Sequence, residues 1–235
     1  MNAGRVAWGV AALLLAGAFA ALGAWQWQRA TQKEDLLARW QAALVASPLA
    51  LAAALEPGGT LPARAEGAGR FVAGATVLLD NQVREGRAGV MVLSLFQPDG
   101  AHRALLVNRG WIALDAQRRL ATPLSAVEGA VQVSGLLAPP PSAGLRVDNA
   151  PWRVGAEPPL LNWLDLPALA RQFGRELHPG VLLLDESAPF GYARAWQPLP
   201  NTLPPERHRG YAVQWFGLAL TVLVVSGVMI GRRTA

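Results

Sequence analysis

Two long apolar segments lie near the ends of the sequence, and a more polar region with short hydrophobic runs separates them. The first segment runs from about Val6 to Trp25 and the second from Tyr211 to Ile230, and neither contains a charged residue. About twenty helical residues, at about 1.5 Å each, cover the ~30 Å hydrocarbon core of a bilayer. The pattern therefore predicts two transmembrane helices.

For the first segment, a cleaved signal peptide is the alternative to a membrane anchor. Arg5 would be its basic start, and Ala18-Phe19-Ala20 resembles a small-residue cleavage site. The apolar run, however, exceeds the usual h-region of about 7–15 residues. It also ends at Trp25 and Trp27, a residue type that favours the membrane interface. These features favour an uncleaved transmembrane helix.

Basic residues flank both spans on the side of the short tails, with Arg5 before the first and Arg232 and Arg233 after the second. Short basic tails stay in the cytoplasm, so the central region is predicted to be extracytoplasmic, in a bacterial periplasm or an equivalent space. The same arrangement assigns five aromatic residues to the outer interface: Trp25, Trp27, Tyr211, Trp215 and Phe216. The predicted organisation is a cytoplasmic tail (1–5), span (6–27), periplasmic domain (28–207), span (208–230) and cytoplasmic tail (231–235).

The central region begins as a helix and then changes to short strands. Leucine, valine and tryptophan at near-helical spacing predict a helix from Gln32 to Ala54. Short apolar runs predict strands at 70–72, 76–79, 90–96, 104–107, 130–136 and 181–184, with turns at Gly74, 86–89 and 98–100. A short helix is predicted from Leu166 to Phe173 after Asp165. The fold class is therefore membrane α+β: two transmembrane helices flank a β-rich domain, an antiparallel sheet or small barrel, with a few helices.

Composition narrows the possible chemistry. The net charge is +5, nearly all from arginine because Lys33 is the only lysine. The arginines are scattered, so we predict interaction with membrane lipids and not with nucleic acid. The absence of cysteine excludes thiolate metal sites and disulfides. With three methionines and no Cys-x-x-Cys motif, a copper chaperone is disfavoured.

Three segments carry a family resemblance: Leu22-Gly23-Ala24-Trp25-Gln26-Trp27-Gln28-Arg29 with Lys33, Val107-Asn108-Arg109-Gly110-Trp111, and His208-Arg209-Gly210-Tyr211-Ala212-Val213-Gln214-Trp215-Phe216. In order and in position relative to the spans, they resemble the Surfeit locus protein 1 family of cytochrome c oxidase assembly factors. The likeness extends over nearly the whole chain. Arg207 directly before His208 departs from the asparagine often found there in that family.

The resemblance implies a non-enzymatic role in biogenesis of the oxidase subunit that contains haem a, in the bacterial inner membrane. It implies haem a as a cofactor, bound stably or transiently, and His208 as its axial ligand. The implied partners are the catalytic subunit of the oxidase and the haem a synthesis enzyme, and a homo-oligomer is a further possibility. A scaffold that never touches haem, or a periplasmic membrane-bound enzyme of unrecognised type, remains an alternative.

The positions around His208 are compatible with a ligand role. His208, Tyr211 and Trp215 are spaced i, i+3, i+7 and so share one helix face near the headgroup boundary. Thr202 is a candidate cap for a helix that starts near Pro204 or Pro205, and Arg207 and Arg209 are candidates for the haem propionates. The alternative is a histidine that contacts only lipid headgroups.

Other candidate residues have two interpretations each. Asn108, Arg109 and Trp111 are predicted either to pack at a bend at a strand end, or to form an exposed contact for a partner. Trp25, Gln26, Gln28 and Arg29 are predicted to line a lateral groove between the two spans. The alternative there is simple helix packing with glycines at the contacts.

Overall fold

The computed structural model describes residues 3–141, 158–196 and 203–232. In chain order, its helices and strands are α1 (Ala3–Val45), β1 (Leu49–Ala50), α2 (Leu51–Ala54), β2 (Ala63–Arg84), β3 (Arg87–Pro98), β4 (Ala104–Ala113), β5 (Val131–Ala138), β6 (Leu160–Leu161), α3 (Leu166–Phe173), β7 (Leu177–Leu184) and α4 (Pro205–Arg232). They form two compact units, a helical unit (Met1–Arg39 with Gln197–Ala235) and a barrel unit (Trp40–Trp196).

Both helices of the helical unit present apolar side chains outward. Leu13 and Leu14 in α1 are 64% and 70% exposed, and Val213 in α4 is 65% exposed. In the most apolar 18-residue stretch of each helix, only 17% of α1 and 11% of α4 is buried. Soluble proteins rarely expose such large apolar surfaces, and a bilayer would cover these. The chain is thus a membrane protein with two candidate spans, as the apolar pattern predicts.

The barrel unit closes a five-stranded sheet on itself. β2 pairs with β3, β3 with β4, β4 with β7, β7 with β5, and β5 returns to β2. Closure is possible because the 22-residue β2 pairs with β5 along Ala63–Gly69 and with β3 from Gly69 onward. The predicted small barrel is confirmed. The sheet is mixed and not purely antiparallel, because β4–β7, β1–β2 and β6–β2 are parallel pairs.

Several boundaries differ from those predicted. Gly74, predicted as a turn, lies inside β2 with φ +70°, at a register shift that bends the strand between Phe71 and Thr76. The two strands predicted at 70–72 and 76–79 are therefore one strand. The helix predicted through Ala54 ends at Val45, and the chain then forms β1 and the four-residue α2. Pro48 accounts for this break, because proline disfavours the helical conformation in the residue before it, here Ser47.

The turn predicted at 86–89 is shorter in the structure, because β3 already begins at Arg87, whereas both predicted helix starts agree with it. Helix α3 begins after Asp165, whose carboxylate accepts a 3.0 Å hydrogen bond from the backbone N–H of Ala168. It ends at Gly174 in the left-handed conformation, an ordinary helix C-terminus. Helix α4 starts at Pro205, as predicted, whereas the proposed Thr202 cap lies outside the described residues. The barrel core joins Leu93, Leu106 and Val181 to Trp40 and Ala43 at the end of α1.

Candidate functional site

The helical unit contains a seam of buried, mostly small residues. In α1 they are Ala12, Ala16, Gly23, Ala30 and Lys33, and in α4 they are Pro205, His208, Ala212, Ala219 and Ser226. With the partly buried Phe19, Gln26 and Trp215, these positions alternate at spacings of three and four along much of each helix. That heptad-like spacing is typical of two helices in left-handed contact, and small residues let them approach closely.

Contacts along the seam show that α1 and α4 run antiparallel. The ring centroids of Phe19 and Trp215 are 5.6 Å apart. Gln26 pairs with His208, and farther along α1 the ammonium of Lys33 donates to the carbonyl of Leu203. Residue numbers therefore increase along α1 in the same direction in which they decrease along α4. This order brings the first and third resemblance segments to the same level of the helical unit.

His208 and Gln26 form the central polar contact of the seam. Nδ1 of His208 lies 2.7 Å from Oε1 of Gln26, and the histidine is only 8% exposed. The other ring nitrogen, Nε2, is buried and has no hydrogen-bond partner among the residues that the structure describes. Buried polar atoms usually have a hydrogen-bond partner, so this nitrogen is available to bind a ligand.

The three residues predicted to share one helix face, His208, Tyr211 and Trp215, differ in exposure in the structure. His208 and partly buried Trp215 point into the seam, whereas Tyr211 is 38% exposed. The structure therefore does not present the imidazole, phenol and indole as one exposed face. The imidazole is covered by α1, because its position falls on the buried side of the heptad-like pattern.

Charged residues lie in the seam and beside it. Arg209 forms a 2.7 Å ion pair with Glu34, and its guanidinium lies 5.7 Å from the ring centroid of Trp27. Arg209 was predicted as a propionate contact, and within the described residues it already has an anionic partner. Lys33 is 7% exposed. The roles of Glu34 and Lys33 as helix–helix contacts were missed, because only an antiparallel pairing of α1 and α4 brings them to Arg209 and Leu203.

A groove does run along the helical unit, but the residues that line it differ from those predicted. It has a volume of about 650 Å³ and is lined by Ala24, Trp27, Gln28, Thr31 and Phe216. Of the predicted groove residues, only Gln28 lines it, while Trp25, Gln26 and Arg29 do not. The α1 residues of the groove are spaced i, i+3, i+4, i+7, so they share a face that is turned away from Gln26. The groove and the His208 site therefore lie on different sides of α1.

In the barrel unit, Asn108, Arg109 and Trp111 belong to β4 and are 2%, 4% and 8% exposed. Asn108 accepts a 3.1 Å hydrogen bond from the N–H of Gly110, whose φ is +118°, at a register shift opposite Val92–Leu93. The bend lies within the strand and not at its end. Such burial supports the packing interpretation and leaves little side-chain surface for a partner.

Arg109 connects three parts of the barrel unit. Its guanidinium donates to the carbonyls of Phe190 and Ser125, each at 3.0 Å, and to Oγ of Ser94 at 3.4 Å. It also lies 5.2 Å from the ring centroid of Tyr192. Burial lowers the pKa of Arg109, yet a guanidinium stays protonated in proteins. A cation bound mainly by carbonyls and aromatic faces is a structural contact that no sequence pattern indicates.

Among the described residues, no group of three histidine or carboxylate side chains is placed to hold a bare metal ion. The sequence matches the model of the SURF1 family, which is the Surfeit locus protein 1 family, over residues 13–220. A comparison with individually curated proteins finds no match. The family match includes all three resemblance segments and therefore both sides of the His208–Gln26 contact.

Proposed function

Because the chain belongs to the SURF1 family, which is known for cytochrome oxidase assembly factors, we propose that it aids the insertion of haem a into the catalytic subunit of cytochrome c oxidase. The observation that carries the proposal is the Nε2 atom of His208, which is buried and without a partner among the described residues. Neutral imidazole nitrogen is a common axial ligand of haem iron.

The donor chemistry at His208 fits such a role. The Nδ1 atom is engaged by Gln26, which leaves Nε2 as the free nitrogen of the ring. Haem, when bound, would supply an iron that accepts this nitrogen, together with an apolar ring suited to the membrane boundary. Because Nε2 has almost no exposed surface, neighbouring side chains must move before any ligand reaches it. That requirement suits a protein that holds its cargo briefly.

The topology and partners of the chain belong to the same proposal. We propose the bacterial inner membrane, with both termini in the cytoplasm and the barrel unit in the periplasm, from the basic residues that flank the spans. The oxidase catalytic subunit and the haem a synthesis enzyme are the proposed protein partners, and a homo-oligomer remains a prediction. That the chain is not itself an enzyme is likewise a prediction, in keeping with a family of assembly factors.

The experiment is co-expression with a haem a synthesis pathway, followed by purification in detergent and a visible spectrum. Wild-type protein and His102→Ala should carry haem a, because His102 is exposed and lies in the barrel unit. His208→Ala should lose the haem a spectrum or shift it. A colourless wild-type protein, purified from membranes that contain haem a, would refute the proposal and favour a scaffold that binds no haem.

A further inference from the structure

We infer that Gln26 is the positioning residue of His208, holding its imidazole in the tautomer that presents Nε2 as a lone-pair donor. This inference rests on the proposed function for its purpose, but not for its geometry. Gln26 would act through the histidine ring and not on the ligand itself.

The geometry assigns the proton. Oε1 of Gln26, 2.7 Å from Nδ1 of His208, can only accept a hydrogen bond, so Nδ1 must carry the hydrogen. A neutral imidazole has one N–H, and Nε2 is therefore unprotonated. This nitrogen is the buried atom without a partner among the described residues. The contact with Gln26 thus leaves the lone pair of Nε2 available for a ligand.

The contact is fixed on both sides by the helix pair. Gln26 follows Gly23 and precedes Ala30 on the seam side of α1, while His208 precedes Ala212 on the seam side of α4. An amide held there orients the ring as well as its proton. Partners of this kind fix the tautomer and orientation of metal-binding histidines, and their loss typically costs about 10–100-fold in metal affinity.

One competing arrangement makes the inference testable. If the amide of Gln26 were rotated by half a turn, its NH₂ group would donate to Nδ1. The hydrogen of His208 would then sit on Nε2, which could no longer act as a ligand in the neutral ring. The two arrangements place the same heavy atoms at the same distance but differ in the position of one proton.

Nuclear magnetic resonance of the full-length protein in lipid nanodiscs, labelled with ¹⁵N and ¹³C in histidine, reads that proton directly. The chain has three histidines, and a His208→Gln sample identifies the signal of interest. At neutral to alkaline pH, we expect His208 to carry its proton on Nδ1 in the wild type. A wild-type His208 protonated on Nε2 would overturn the inference.

Variants at Gln26 separate positioning from simple packing. Gln26→Leu should abolish the Nδ1–H preference, whereas Gln26→Glu should keep it, because a carboxylate only accepts hydrogen bonds. Gln32→Leu is the matched control, since Gln32 is an exposed glutamine of the same helix, and it should leave the tautomer unchanged. Loss of the preference in Gln26→Glu would contradict the inference, even if Gln26→Leu failed to fold.

A titration with ferric haem b as the probe tests the purpose of the contact. We expect Gln26→Leu to bind it about 10–100-fold more weakly than wild type, with Gln26→Glu close to wild type and the absorption band shifted. Equal affinity in wild type and Gln26→Leu would overturn the positioning role. Failure of the wild type to bind haem at all would instead count against the proposed function, while the tautomer would still report on the geometry.

Discussion

The indole Nε1–H of Trp111 donates a 2.9 Å hydrogen bond to the carbonyl oxygen of Gln82, so a side chain of β4 reaches the backbone of β2 across the intervening β3. The ring passes over Gly89 of β3, where a Cβ atom would lie 2.4 Å from the indole. This contact joins the last residues of β2 to Asn108–Trp111, one of the segments that carry the family resemblance.

Trp111→Phe should therefore destabilise the barrel unit. The substitution keeps most of the aromatic surface but leaves the Gln82 carbonyl without its donor, at a cost of about 1–3 kcal/mol. Thermal unfolding in detergent, followed by circular dichroism, measures the change. Trp25→Phe is the control, because Trp25 is 56% exposed on α1 and should leave the transition unchanged.

Two glycines of the β2–β3 hairpin make a matched pair. A Cβ at Gly89 would lie 2.3 Å from the carbonyl of Ile112, whereas a Cβ at Gly86 meets nothing within 4 Å. At Gly86, where φ is +73°, alanine is disfavoured only by the left-handed backbone conformation, which costs about 1–2 kcal/mol of stability. We expect Gly89→Ala to lower the unfolding temperature clearly more than Gly86→Ala. Equal effects would show that the close approach of the strands does not limit this position.

Arg109 should not tolerate lysine. Its three hydrogen bonds extend in different directions from a planar guanidinium, and a single ammonium cannot reach all three acceptors. Arg109→Lys should lower the free energy of unfolding by about 2–4 kcal/mol, since hydrogen bonds to charged groups contribute about 1.5–3 kcal/mol each. The exposed Arg119, paired with Asp115, provides the control. Arg119→Lys should change stability by no more than about 0.5 kcal/mol.

His178 predicts how the barrel unit responds to pH. Burial lowers the pKa of His178, and its Nδ1 accepts a 3.0 Å hydrogen bond from the N–H of Gly180. The folded ring therefore takes up a proton at a lower pH than the unfolded ring, whose pKa is about 6.5. Above that pH both states are neutral and the contribution is constant. Below it the unfolded chain takes up a proton first, so stability falls as the pH drops toward the lowered pKa.

Unfolding midpoints between about pH 8 and pH 5 measure this dependence, a range that spans the unperturbed histidine pKa. His178→Asn retains an acceptor but does not titrate, and we expect it to flatten the acid side of the profile. His102→Asn, at an exposed position, should leave the profile as in the wild type. A profile equally steep in wild type and His178→Asn would assign the acid sensitivity to another group.

The proposed orientation in the membrane can be mapped with single cysteines, because the natural sequence has none. Asp99→Cys, on an exposed turn of the barrel unit, should react with a membrane-impermeant maleimide added to spheroplasts. Gly4→Cys, at the exposed start of α1, should react only after the membrane is permeabilised. The reverse pattern would place the barrel unit in the cytoplasm.

Local patterns in the sequence determined much of this protein. The charge-free apolar runs define the two spans, because a bilayer imposes both length and composition on a helix. Most of the short apolar runs became strands, and Asp165 marked the start of α3, because such signals depend on neighbouring residues only. The barrel was anticipated as one of two arrangements, but not its parallel β4–β7 pair. Strand order depends on contacts between residues far apart in the chain.

Only the tertiary structure decided which polar groups meet. Gln26 and His208 are separated by 182 positions, and Lys33 and Leu203 by 170. No periodic signal links such pairs, since a hydrogen bond requires only that two atoms arrive at the right distance. The heptad-like spacing of small residues was present in the sequence, but it does not reveal which helix it faces. The sequence thus supplied the histidine, and the antiparallel packing of α1 and α4 supplied its glutamine partner and its buried free nitrogen.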